Sequence, residues 1–180
     1  SYSEQKISEK QKWGIIEIEE RGLELLEFMS ENWDIQELKD KYTVFADLYM
    51  TENTYLYDDT KMVLKTLKER GAKIAIISSK TRRRIMQTLT RDKIDDLVEF
   101  IIGSEDKYAY KPAPDGILEA VKRLNVDKKD VIYIGDNIVD AQAAQNAQVD
   151  FAGVLTGNNI KADFAKFPHV KIMNCLQELI

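Results

Sequence analysis

Hydrophobic and polar positions follow two different periods along residues 56–180, and these periods predict strands and helices in turn. Short apolar runs, rich in β-branched residues, predict strands at 72–78, 98–103, 131–135, 151–155 and 169–173. Apolar residues at helical spacing predict helices at 58–71, from about Thr81, at 114–125 and at 139–147. Strands that alternate with helices are typical of an α/β fold, here a Rossmann-like parallel sheet with helices on both faces.

The first 55 residues carry a helical pattern without the strand-like runs that follow. One stripe of apolar side chains recurs at helical spacing through Ile35, Leu38, Tyr42, Phe45 and Leu48. The sequence therefore predicts two domains, a small α-helical unit at 1–55 and an α/β core at 56–180.

Composition restricts the classes of protein to which the chain can belong. Hydrophobic residues make up 44% and charged residues 32%, as in globular proteins, and no apolar run reaches the length of a membrane span. A net charge of −5 gives no attraction to nucleic acid or to an anionic membrane. A single cysteine, Cys175, and a single histidine, His169, argue against disulfides, zinc clusters and Ser–His–Asp catalysis. We expect a cytoplasmic protein without nucleic-acid or membrane partners.

Polar side chains stand at the carboxyl ends of three predicted strands. Ser78 ends the first strand, Lys111 follows the second, and Asp136 and Asp140 follow the third. Ligands of parallel sheets bind at this edge, where a hydroxyl, an ammonium group and two carboxylates can hold a phosphate and a divalent cation. Taken alone, a serine at a strand end is usually a turn residue, a lysine before proline is usually a solvated side chain, and GDNIVD is equally explained as a helix cap. The combination in this order favours a phosphate site. The Gly/Asn loop at 155–159 also ends a strand, and it is either part of the site mouth or a turn.

Three stretches resemble the second, third and fourth motif regions of the haloacid dehalogenase (HAD) superfamily of phosphohydrolases, in its phosphoglycolate-phosphatase-like branch. They are residues 57–80, 101–126 and 131–147, and KPAPDGI and GDNIVDAQAA are their most specific pieces. The resemblance covers about residues 56–180, and residues 1–55 resemble the helical cap that this branch inserts after its first strand. One departure is Gln148, which stands in a turn where the family usually has glycine.

The resemblance implies a role for each candidate residue. Ser78 would bind the phosphoryl group, and Lys111 would stabilise the nucleophile and the transferred group. Asp136 would ligate Mg²⁺, and Asp140 would support the metal either directly or through another ligand. Substrate contacts are expected of the neighbouring Ser79 and Asn137.

The activity implied by the resemblance is Mg²⁺-dependent hydrolysis of a small phosphorylated metabolite through an aspartyl-phosphate intermediate. The alternatives are a phosphoglucomutase-like phosphoryl transferase on the same fold and a non-catalytic binding or regulatory protein. We expect a monomer or a weak homodimer.

The nucleophile of the family is the first Asp of an Asp-x-Asp-x-Thr motif that closes the first strand, and this motif is absent from the sequence. Asp47 and Thr51 match it in part, but Tyr49 replaces the second Asp, so a cap helix is the preferred interpretation. In the family fold that first strand lies between the strand ending at Ser78 and the strand ending at Asp136. We therefore expect about 20 or more residues upstream of Ser1, which supply this strand and the nucleophile.

Overall fold

The computed structural model describes residues 53–180, and the chain divides into two units at residues 1–52 and 53–180. Nearly all of the expected helical cap, together with Asp47, lies outside the described residues and stays a prediction. The second unit carries every other candidate site residue.

Helices and strands alternate through this second unit. The helices are α1 (Thr60–Glu69), α2 (Arg82–Arg91), α3 (Asp115–Leu124), α4 (Ile138–Ala147) and the short α5 (Lys161–Phe164). The strands are β1 (Ala75–Ile77), β2 (Phe100–Ile102), β3 (Ile132–Gly135), β4 (Asp150–Val154) and β5 (Lys171–Met173). Single 3-10 turns lie at Asp95–Leu97, Lys128–Asp130 and Leu176–Leu179.

The strands form two parallel sheets. In the first, β1 pairs with β2 and Ile76 lies opposite Ile101; in the second, the order is β3-β4-β5 and Ile134 lies opposite Ala152. Parallel strands joined by helices confirm the predicted α/β class. Between residues 53 and 180, no helix is long and apolar enough to cross a membrane.

Helices α3 and α4 pack together and link the two sheets. Ile117 and Val121 of α3 and Ala143 and Ala147 of α4 form a buried cluster, and Ile77 of β1 and Tyr133 of β3 both pack against it. Small alanine side chains let α4 lie close to β3 and β4, and Ala141, Ala143, Ala144 and Ala147 are fully buried. Because β3 ends at Gly135 and α4 begins at Ile138, the carboxyl end of β3 lies directly before this helix.

The expectation that residues 72–78 form a strand buried on both faces is confirmed only in part. Helices cover both faces, since Ile76 packs in the cluster with α1 and α2 while Ile77 packs against α3 and α4. All three β1 residues nevertheless keep partial exposure, and in β3 Ile132 is 49% exposed. In the described unit, β1 and β3 each also have one edge that no strand pairs.

Candidate functional site

Asp136 and Asp140 follow β3 and have very different surroundings. The Asp136 residue is exposed, whereas Asp140 is 3% exposed. A side chain at Gly135 would place its Cβ 2.3 Å from the Cβ and 2.5 Å from the Cγ of Asp140. Because no larger residue fits between them, Gly135 is what lets the Asp140 carboxylate fold back against the end of the strand.

The buried carboxylate of Asp140 accepts hydrogen bonds from three groups. Its Oδ1 accepts from Lys111 Nζ at 2.5 Å and from the Tyr133 hydroxyl at 3.3 Å, and its Oδ2 accepts from the Asn137 N–H at 3.1 Å. The ion pair with Lys111 is shielded from water, with side-chain exposures of 24% for the lysine and 4% for the aspartate. Both carboxylate oxygens are therefore engaged in holding protein groups.

Asp140 is also part of the helix cap of α4. The Asn137 Oδ1 accepts from the Val139 N–H at 3.1 Å while the Asn137 N–H donates to Asp140, so the two residues cap the helix reciprocally. The same carboxylate therefore both caps α4 and pairs with Lys111.

A second hydrogen bond ties the segment that carries Lys111 to α4. The Asn146 Nδ2 donates to the backbone oxygen of Pro112 at 2.9 Å, and the Lys111–Pro112 peptide bond is cis. Contacts to Asp140 and Asn146 therefore fix both the side chain of Lys111 and the backbone beside it on the same helix.

Asp136 presents a carboxylate that forms no hydrogen bond or ion pair with other residues of the described range. Its side chain lies against the loop after β4, because a Cβ on Gly157 would stand 2.6 Å from its Oδ2. Mg²⁺ binds through one or two carboxylates together with waters and substrate phosphate. Asp136 offers one such carboxylate. No group of three His, Cys, Asp or Glu side chains suited to a metal occurs within 53–180, so a magnesium ion here would take its other ligands from water, substrate or residues outside that range.

Ser78 follows β1 and continues its pairing with β2. Its backbone N–H donates to the Ile102 oxygen at 3.0 Å, so this amide is not available to a phosphate. Its Oγ accepts from the Lys80 N–H at 3.1 Å, which leaves the hydroxyl hydrogen free to donate to another acceptor. The next residue, Ser79, is exposed.

An ion pair joins the segment after β1 to the segment after β2. The Arg82 guanidinium donates from one nitrogen to both carboxylate oxygens of Asp106, at 2.7 and 2.6 Å, and the Arg82 backbone N–H donates to Glu105. A hydrogen bond from the Gly103 N–H, followed by that of Arg82, holds the pKa of Asp106 below its usual value against the opposing effect of desolvation. Hydrogen bonds and an ion pair therefore join the Ser78–Thr81 turn to the loop that leads to Lys111.

Tyr133 contacts the candidate site residue Asp140, and the sequence did not single it out. It lies in the middle of β3, and burial, followed by the negative charge of Asp140, raises the pKa of its hydroxyl well above its ordinary value. The hydroxyl therefore stays protonated and donates to Asp140. A signal was present, because a tyrosine in an apolar strand usually has a hydrogen-bond partner for its hydroxyl.

A family model described as haloacid dehalogenase-like hydrolase matches residues 3–154. The chain belongs to this family, as the resemblance in its motifs implied.

Three similar proteins show how closely the chain resembles known sequences and structures. The chain is 32% identical over 164 residues to a phosphoglycolate phosphatase from Colwellia psychrerythraea, covering 89% of this chain and 73% of the relative. It is 36% identical over 98 residues to the pyrophosphatase PpaX of Listeria monocytogenes, covering 54% of this chain and 45% of the relative. A crystal structure of a haloacid dehalogenase-like hydrolase from Bacteroides fragilis is 40% identical with a TM-score of 0.77, over 82% of this chain and 72% of that one. The chain spans only about half the length of the PpaX relatives that it matches, 57% and 45% for two of them.

Proposed function

We propose that the protein is a magnesium-dependent phosphatase that acts on a small phosphorylated compound through an aspartyl-phosphate intermediate. Membership of the haloacid dehalogenase-like hydrolase family supports the reaction class. Relatives named phosphoglycolate phosphatase and pyrophosphatase support a small phosphate ester or anhydride as the substrate.

The observation that carries the proposal is the Lys111–Asp140 pair beside the end of β3. An N–O distance of 2.5 Å in a largely buried setting fixes the lysine in place. One of its ammonium hydrogens is directed to Asp140, which leaves donors for the nucleophile and the phosphoryl group. A fixed positive charge stabilises the negative charge of the transferred group with little reorganisation.

The assigned role of Asp136 is that of magnesium ligand. Its exposed carboxylate, unlike that of Asp140, is not engaged by other described residues, and hard cations prefer such oxygen donors. Asp140 then acts indirectly, through Lys111 and the cap of α4, rather than as a ligand. When bound, the ion would neutralise charge on the substrate phosphate.

Ser78 is assigned to hold the phosphoryl group by donating its hydroxyl hydrogen, since its Oγ already accepts from Lys80. Ser79 and Asn137 are exposed near these groups in sequence and are assigned to substrate contacts. The Asn137 Oδ1 is used in the helix cap, so its amide nitrogen is the group that would contact substrate.

The nucleophile of this mechanism is an aspartate from outside residues 53–180. It attacks phosphorus and displaces the alcohol or phosphate leaving group, which a second carboxylic acid protonates. Water activated by that second residue then hydrolyses the aspartyl-phosphate and restores the carboxylate.

Replacing Asp136 tests the proposal most directly. In the intact protein, Asp136→Asn should lower the rate of p-nitrophenyl phosphate hydrolysis in Mg²⁺ by roughly 100-fold or more, because the neutral amide is a poor ligand for a hard cation. Chelation of the metal should reduce the wild-type rate to a similar level.

The matched control is Asp127→Asn, which removes another exposed carboxylate whose ion pair with Lys129 is long, at 3.8 Å. This variant should retain the wild-type rate. Undiminished Mg²⁺-dependent hydrolysis by Asp136→Asn would contradict the metal role, and an intact protein that binds Mg²⁺ but hydrolyses no phosphate ester would favour a non-catalytic binding protein.

A further inference from the structure

The loop after β4 lies against Asp136. We name residues Thr156, Gly157, Asn158 and Asn159 the TGNN loop. A Cβ at Gly157 would stand 2.6 Å from Oδ2 of Asp136, 3.0 Å from its Cγ and 2.8 Å from its backbone oxygen. The backbone of Gly157 therefore lies directly against both the side chain and the main chain of the assigned magnesium ligand.

Glycine is required at this position for steric reasons and not for its backbone angles. Gly157 lies outside the left-handed region that favours glycine, so its backbone would accept alanine. Rotating the Asp136 carboxylate would relieve only one of the two overlaps, because the second is with a backbone oxygen. An alanine must therefore displace either the loop or the end of β3.

Hydrogen bonds hold the TGNN loop on both sides of Gly157. On one side the Tyr57 hydroxyl donates to the Thr156 oxygen at 3.0 Å, across 99 residues of sequence. On the other side the Ile138 N–H, in the first turn of α4, donates to the Asn159 Oδ1 at 3.1 Å. The loop is thus fixed at two points, and the residue between them faces Asp136.

We propose that Gly157 and Tyr57 are positioning residues that hold the Asp136 carboxylate in the orientation in which it binds Mg²⁺. This inference rests on the proposed metal role of Asp136. Gly157 sets the position of the carboxylate through direct contact, and Tyr57 sets the position of Gly157 through Thr156. The segment that precedes α1 therefore influences the metal site although it provides no ligand.

The test measures Mg²⁺ affinity by calorimetry in the intact protein without substrate. Gly157→Ala should raise the dissociation constant by roughly 10- to 100-fold, as changes next to metal ligands commonly do. Tyr57→Phe removes one hydrogen bond and should raise it by about fivefold. The Mg²⁺ concentration for half-maximal phosphatase activity should rise by the same factors, and excess Mg²⁺ should restore most of the rate.

Asn158→Ala is the matched control, since Asn158 is an exposed residue of the same loop. It should leave the Mg²⁺ dissociation constant unchanged. Melting temperature in the absence of metal separates positioning from general damage, because Tyr57→Phe should lower it by no more than the roughly 2–4 °C expected for the loss of one hydrogen bond.

The outcomes separate this inference from the proposed function. If Asp136→Asn abolishes Mg²⁺ binding while Gly157→Ala and Tyr57→Phe bind as tightly as wild type, the positioning role is wrong and the metal role stands. If Asp136→Asn itself binds Mg²⁺ normally, the metal role is wrong and the positioning role fails with it. Should Gly157→Ala not fold, the Tyr57→Phe comparison alone decides.

Discussion

At the scale of single residues, the Asp140 carboxylate is the group on which most of the site depends. A buried carboxylate needs its charge and both oxygens satisfied, and Lys111, Tyr133 and the Asn137 N–H together provide this. Asp140 thereby fixes the position of the Lys111 ammonium group, the side chain of Tyr133 and the start of α4. Conversely, the loss of Lys111 leaves a buried negative charge without a counter-charge.

A double-mutant cycle measures this dependence. Lys111→Met should lower the free energy of unfolding by about 3 kcal/mol or more, because the charge of Asp140 is left unpaired. In an Asp140→Asn background the same change should cost at least about 1.5 kcal/mol less, since no buried charge remains. Urea unfolding near neutral pH gives both values, and additive effects of the two substitutions would contradict an energetic coupling.

At the scale of secondary structure, α4 begins with a hydrogen-bonded cap and ends at a residue in a strained backbone conformation. Asn137 and Asp140 cap its beginning, whereas Gln148 follows its last turn in the left-handed conformation with φ of 60°. Asn125 ends α3 in the same conformation, with φ of 52°. Asparagine tolerates this region better than glutamine, because its short side chain hydrogen-bonds locally.

Gln148→Gly should therefore stabilise the protein. The left-handed conformation costs a residue with a Cβ about 1 kcal/mol relative to glycine, and glycine removes that cost at the end of α4. Asn125→Gly is the comparison at the end of α3, and its gain should be smaller. Chemical unfolding of both variants checks which of the two gains in stability is larger. A Gln148→Gly protein no more stable than wild type would show that other contacts of Gln148 offset the strain.

Across the whole molecule, local sequence patterns predicted the helices and strands, but they did not predict contacts between residues that are distant in the sequence. The run around Ile76 identifies its strand because the strand signal lies in a few consecutive residues. The grouping of Lys111 with Asp140 followed from the rule that strand ends share an edge. The bond between Tyr57 and Thr156 spans 99 residues, and no local pattern encodes it. The Tyr133 bond depended on how Asp140 folds back, which is decided by packing at Gly135.

The two sheets leave one edge of β1 and one edge of β3 without a strand from the described unit. The Ser78 N–H donates to Ile102 of β2, and backbone direction alternates along a strand. Ile76 and Ser78 therefore face β2, while the backbone groups of Ala75 and Ile77 face the other edge. Unpaired edges on apolar strands are an aggregation hazard, so we propose that a strand from outside residues 53–180 lies between β1 and β3.

Hydrogen exchange at β1 tests this strand in the intact protein. If another strand pairs with the second edge, the amides of Ala75 and Ile77 should exchange about as slowly as that of Ile76, which β2 already protects. Without such a strand, the two outward amides should exchange at least roughly 100-fold faster than Ile76. Residue-resolved exchange by NMR gives the three rates in one experiment, with Ile76 as the internal control. Slow exchange at all three amides would place a strand beside Ser78, and a nucleophilic aspartate at the carboxyl end of that strand could reach the phosphoryl group. Fast exchange at Ala75 and Ile77 would contradict this arrangement.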